Sequence, residues 1–271
     1  MNNSKNHISS TSQKISSDNL YHYTNEAGLK GILRNGFKSS YCKELIIGAK
    51  KTIYLSIPMV CFCDIPFELS ESHRNNFNSD YAIGLSKKWK IMNRLNSILY
   101  LNENSVLWDD ISEIINLIVE MDNKKTMEIE NKLCDGTSYL YNSPPEVVKL
   151  KKNLFSMVSM MKPYIGRRYD SKGNFLCDDY KFYDEREWRF VFESLPKYIL
   201  TENSNLDIIK KENPINDNFL LFNIHDIRHI IVRNKSEVNE IKEILISEQK
   251  IGGNPNDYSF DITSINITSI N

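Results

Sequence analysis

The chain has 271 residues, with 34 Lys and Arg against 35 Asp and Glu, so its formal net charge is −1. That balance offers no global field for a polyanion or a membrane surface. The 41% hydrophobic and 25% charged content is ordinary for globular chains and supplies a core for one large domain or two small ones. No run of 18 apolar residues marks a transmembrane helix, and the Ser/Asn/Lys-rich start lacks the apolar stretch of a secretory signal. The cysteines Cys42, Cys61, Cys63, Cys134 and Cys177 are an odd, sparse set with no disulfide framework, which predicts a cytoplasmic setting.

In chain order, residues 1–18 are polar and aperiodic and read as a flexible tail. LYHYT (20–24) is a short run of β-formers, hence a strand. A helix follows, capped by Thr24 or Asn25, with Leu29, Ile32 and Leu33 on one face and Gly36 as its left-handed stop. Residues 52–56 and 58–66 read as two strands, the second bounded by Pro58 and Pro66. A polar helix or loop at 68–77 leads to a strand at 81–86. Ser86 then caps a short helix through Trp89 and Met92, and 96–101 is another strand. Residues 105–133 carry Val106, Leu107, Ile111, Ile114, Ile115, Ile118 and Met121 near a 3.6 period. A second helix runs 145–161 behind the SPP break. Strands return at 180–193, 218–224 and 227–233, followed by a helix at 236–247. The segment from 261 onward is an edge strand or disordered.

Hairpin-length gaps between strands favour an α+β fold with a mixed or antiparallel central sheet and flanking helices. One domain would span 19–250, with a helical insert at about 104–165 and an edge strand or tail at 251–271. No G-x-G-x-x-G or Walker loop is present, so neither a dinucleotide-binding Rossmann unit nor a P-loop is expected.

Chemistry concentrates in YDEREWRFV. Read as one strand from Glu185 to Glu193, one face holds Arg186, Trp188, Phe190 and Phe192, and the other Glu185, Glu187, Arg189, Val191 and Glu193. That second face is either a solvated surface with a Glu187–Arg189 pair, or a cleft whose carboxylates stabilise an oxocarbenium-like transition state. His22 is either a structural strand histidine or part of a site. His73 reads as a surface residue. His225 and His229 flank a turn and make no metal pair, and Cys61 with Cys63 reads as buried thiols, not as ligands. Lys162, Arg167, Arg168 and Lys172, interleaved with Tyr164 and Tyr169, form either an ordinary solvated loop or a phosphate and base contact.

LYHYT followed by LKGILRNGF resembles the opening of ADP-ribosyltransferase-fold proteins such as DarT and the RNA 2′-phosphotransferases. With IPMVCFCDIP, YAIGLSKKW and FYDEREWRFV in that order, the arrangement is most similar to the AbiGi family of abortive-infection (phage-resistance) proteins. The likeness covers about 20–100 and 180–235. It implies NAD as a substrate, with no metal. His22 would meet a ribose, with Tyr23 and Thr24 beside it, and Tyr54 or Tyr81 would stack on nicotinamide. Glu187 would stabilise the cationic sugar, Glu185 would position the acceptor, and Arg189 would pair with Glu187 or meet phosphate. Arg167, Arg168 and Tyr169 would touch a nucleic-acid acceptor. The alternatives are a non-catalytic antitoxin or regulatory subunit bound to a cognate toxin, and an RNA- or DNA-binding module.

Overall fold

The computed structural model describes residues 16–46, 53–77, 79–129, 145–169, 174–192, 199–201, 207, 210–211, 214–215, 219–247 and 260–265. Expectations for the tail at 1–15, the helix end at 130–133, Cys134, Lys172, Glu193 and residues 266–271 lie outside them. At the edge of that tail, Ser16 donates its hydroxyl to Asp64 Oδ2 at 2.6 Å, and Ser17 is buried.

The elements are β1 (Asn19–Thr24), α1 (Glu26–Asn35), β2 (Phe37–Lys38), β3 (Ser40–Ile46), β4 (Ile53–Cys63), α2 (Glu71–Phe77), β5 (Tyr81–Ser86), α3 (Lys87–Met92), β6 (Asn96–Ser97) and β7 (Leu99–Leu101). They continue with α4 (Val106–Ile129), α5 (Pro145–Val158), β8 (Met161–Pro163), β9 (Gly166–Tyr169), β10 (Phe175–Tyr180), β11 (Glu187–Val191), β12 (Ile199–Thr201), β13 (Phe219–Leu220), β14 (Ile227–Val232), α6 (Glu237–Ser247) and β15 (Asp261–Ser264). The main sheet runs β15-β14-β5-β1-β4-β11-β6, with β3 and β12 also paired to β4. Every pairing in it is antiparallel except β14 with β15. The fold is therefore α+β with a mixed, mostly antiparallel sheet, and β15 is one edge.

Local signals placed β1 and α1 well. The Asn25 side chain, not that of Thr24, accepts the Gly28 N–H at 2.8 Å. Gly36 does stop the helix, at φ 88 and ψ −176, a positive-φ region open essentially to glycine but not the left-handed helical basin. A Cβ there would sit 2.9 Å from the Leu220 carbonyl oxygen. Gly36→Ala is expected to destabilise the chain by about 1–3 kcal/mol, read as a lowered urea midpoint.

Four expectations change. The strands expected at 52–56 and 58–66 merge into one, β4, which ends at Cys63. Pro58 stands opposite Tyr41 of β3 on one edge, and on the other edge it falls between the end of β11 opposite Met59 and the start of β12 opposite Ser56. Residues 96–101 split: β6 joins β11, whereas β7 pairs in parallel with β8. Residues 180–193 are not one strand either. β10 ends at Tyr180, Phe182–Glu185 form a 3-10 turn, and Arg186 turns the chain at φ 47 and ψ 48 before β11. Among the described residues of 218–224, only Phe219–Leu220 are strand.

The alternation of β4 organises two cores. Val60 and Phe62 join Leu29, Leu33, Trp89 and Ile241 on the face covered by α1, α3 and α6. Leu55, Ile57 and Met59 join Trp108, Ile111, Ile115, Leu154 and Phe155 of α4 and α5 on the other. Beyond Met59 that second face continues with Cys61 and Cys63, and there the site opens.

Candidate functional site

β11 lies antiparallel to β4 with Glu187 opposite Cys63 and Arg189 opposite Cys61. Trp188, Phe190 and Phe192 pack into the α1 face, so Glu187 and Arg189 point to the other. This parity was expected; the solvated surface was not found. Glu187 is 7% exposed and Arg189 is fully buried. Arg189 grips Glu187 through Nε–Oε1 at 2.8 Å and Nη2–Oε2 at 3.0 Å. It also donates to Glu44 Oε1 at 2.6 Å and to the Ser159 carbonyl at 2.6 Å. Lys162 Nζ bridges Glu185 Oε2 at 2.8 Å and Glu187 Oε2 at 3.1 Å. Tyr100 Oη accepts the Glu187 N–H. Glu185 reaches this cluster from the 3-10 turn, not from a strand, because the left-handed Arg186 reverses the local direction between them.

Two cations thus serve three carboxylates in a dry setting. Burial raises the Glu187 carboxyl, but the charges of Arg189 and Lys162 outweigh it and hold the group well below the usual carboxylate range. Glu185 is shifted the other way, because its burial exceeds the pull of Lys162. Lys162 is desolvated too, yet Glu185, Glu187 and Glu44 keep it firmly protonated. Lys162 was read as one of an exposed basic series and is instead buried at the centre. Glu44 went unnoticed. Its only sequence signal is SYCKELI, where Glu44 falls on the same side as Cys42, a residue that packs on the α4–α5 core.

A cleft of about 610 Å³ opens over this cluster. Glu185 and Glu187 form part of its lining, as do Tyr21, Tyr23, Tyr41 and Tyr54. The Tyr23 and Tyr41 hydroxyls are buried with no hydrogen-bond partner among the described residues. Lys43 Nζ lies 3.9 Å from the Tyr54 ring centroid, and Tyr54 Oη meets Tyr169 Oη at 3.2 Å. The rim also carries Arg167, Arg168 and Lys210. Arg167 pairs with Asp178 at 3.1 Å. Arg168 donates to the Asn76 carbonyl at 2.6 Å and lies over the Phe77 and Tyr180 rings. Tyr169 is turned to Tyr54, so this segment is folded into the cleft wall and is not a free basic loop.

His22 borders the same cleft from the wrong side for partnership with Glu187. Tyr21 faces Cys63 across the β1–β4 pair, and Cys63 faces Glu187, so Tyr21 shares the Glu187 face. His22 opposes Ile83 and belongs to the other face, its ring edge-on to Phe37 and Phe62. Its Nδ1 is 2.7 Å from the Cys61 carbonyl oxygen, and burial lowers its pKa, which keeps the ring neutral at physiological pH. Tyr81 is removed from the cleft, donating to Glu237 at 2.8 Å, and Thr24 does not line it either; of the two tyrosine candidates only Tyr54 is there. His73, expected at the surface, is half-buried and lines the cleft between Tyr23 and Phe77. His229 is held by the Tyr21 hydroxyl and by Thr263. Cys42, Cys61 and Cys63 all line the cleft, and contact with the Cys42 thiol, then burial, pushes the Cys61 thiol far up. Among the described residues, no group of three His, Cys, Asp or Glu is arranged to hold a metal ion.

A family profile described as "Putative abortive phage resistance protein AbiGi, antitoxin" matches residues 35–233. The chain belongs to the AbiGi family. A curated relative, the abortive phage resistance protein AbiGi of Lactococcus lactis subsp. cremoris, is 30% identical over 193 residues, which is 65% of this chain and 71% of that protein. No solved structure matches. The matched AbiGi span holds Glu44, Lys162, Glu185, Glu187 and Arg189 and starts after His22. The AbiGi likeness read from the motifs is therefore shown, whereas none of these matches supports the wider grouping with ADP-ribosyltransferases. Among the described residues no helix is long and apolar enough to cross a membrane.

Proposed function

We propose that this AbiGi protein is the non-catalytic antitoxin of an abortive-infection pair and neutralises a cognate toxin by binding it. The observation that carries this reading is the closed charge cluster. A carboxylate that stabilises an oxocarbenium ion needs negative charge to spare. Glu187 has both oxygens committed to Arg189 and Lys162, so its charge is already neutralised before any substrate arrives. The description of the family as an antitoxin supports the same reading from an independent direction. In cells expressing the toxin, co-expression of this chain restores growth, and Glu185→Gln restores it equally. Purified chain releases no nicotinamide from NAD. Nicotinamide release by the wild type, lost in Glu187→Gln with the fold intact by circular dichroism, overturns the proposal.

That contrary outcome is the second reading, a transferase consuming NAD and modifying nucleic acid or protein. What favours it is the placement of Tyr54, Glu185 and Glu187 on one cleft whose rim carries Lys43 and Arg168. A cleft of about 610 Å³ is large enough for a nucleotide, and cations beside aromatic rings suit its phosphates and base.

A further inference from the structure

α4 is apolar on more of its circumference than the sheet covers. Trp108, Ile111, Ile115 and Ile118 are buried against β4 and α5. Alongside them Leu107, Ile114, Leu117 and Met121 remain 46%, 39%, 51% and 51% exposed. Positions 107, 114 and 121 repeat every seven residues, with 117 between the last two, the spacing of a helix seam that packs on a second helix. An exposed stripe of this kind on a soluble chain marks an interaction surface.

The charges beside the stripe choose among occupants. From Val106 to Met121 the helix carries Asp109, Asp110, Glu113 and Glu120 and no basic residue. A second copy docked stripe on stripe would bring these carboxylates together, which repels. A partner with an apolar helix flanked by Lys and Arg would meet both features. We propose that the exposed seam of α4 is the surface on which this antitoxin holds its toxin, through an apolar helix with basic flanks; the inference rests on the antitoxin reading above.

The test uses purified full-length chain and the cognate toxin, with binding followed by calorimetry. Ile114→Asp with Leu117→Asp is expected to weaken the complex by about 100-fold or more, because truncating or charging central apolar anchors dominates interface energetics. Circular dichroism and melting verify the fold. Should that pair misfold, Asp109→Lys, Glu113→Lys and Glu120→Lys together, all at exposed positions, supply the second variant. They are expected to weaken binding by about 10-fold and to remove the fall in affinity with salt shown by the wild type. Wild-type affinity in both variants overturns the seam as the docking surface and leaves the antitoxin reading standing. A wild type that does not bind the toxin removes both. A homodimer abolished by the same changes assigns the stripe to a second copy and overturns the proposal.

Discussion

Replacing Arg189 by methionine is expected to lower the free energy of unfolding by about 3–5 kcal/mol, a drop in melting temperature on the order of 10 °C or more. Methionine fills much of the same volume, so the loss is electrostatic. Arg189 is fully buried and makes four hydrogen bonds, to both oxygens of Glu187, to Glu44 and to the Ser159 carbonyl. Without it two carboxylates share the single charge of Lys162 with Glu185 in a largely buried place. The expected remedy is equally specific. Glu187→Leu added to Arg189→Met should recover part of the loss, since removing both partners of a buried pair is less harmful than removing one. Arg189→Lys should fall between, because an ammonium cannot span Glu187, Glu44 and Ser159 at once. Urea titrations of wild type, Arg189→Met, Glu187→Leu and the double variant give the coupling directly. A single variant as stable as wild type would mean that the cluster is not the cross-brace of β3, β11 and the turn before β8.

How much of this was legible follows from the range of each interaction. β1, α1 and α3 rest on neighbours within a turn, and their caps Asn25 and Ser86 were visible in the sequence. The parity of Glu187 and Arg189 was visible too, because period two is local. Their burial was not. Glu44 is 145 residues from Arg189, and no local pattern says that β3 and β11 flank β4 on opposite edges and bring these two side chains to one face. The left-handed Arg186 was hidden because E-R-E-W-R reads as an unbroken strand, and only the turn packed against Tyr164 and Tyr100 breaks it. Pro58 misled in the opposite direction: proline usually marks a strand end, but here β4 runs through it, opposite Tyr41 of β3, and the change of partner from β11 to β12 falls on the other edge. His22 misled through resemblance, since the motif L-Y-H-Y-T fixes its strand but not which face the late glutamate will take.

His73 contributes to the acid behaviour. Burial, then the charges of Arg168 and Lys162, pull its pKa from 6.5 down to about 4, with Glu187 opposing. The unfolded chain therefore binds a proton at His73 between those values while the folded chain does not, and stability falls as pH falls from about 6.5 to 4. Fully realised, the gap corresponds to about 3 kcal/mol; partial solvent access makes the observed loss smaller. Glu187 acts below this window, because its depressed carboxyl stabilises the fold above the ordinary carboxylate range and loses that contribution only in stronger acid. Glu185 has the opposite sign, and its raised carboxyl relieves strain in the cluster as it protonates. The two regimes separate by mutation. In His73→Gln the fall in melting temperature from pH 6.5 to 4 should be shallower than in wild type, the remainder belonging to His22 and His229, whose burial lowers their pKa values as well. A His73→Gln protein that loses stability over the upper window as steeply as wild type would place the histidine in water, and with it the cleft wall formed by Tyr23 and Phe77.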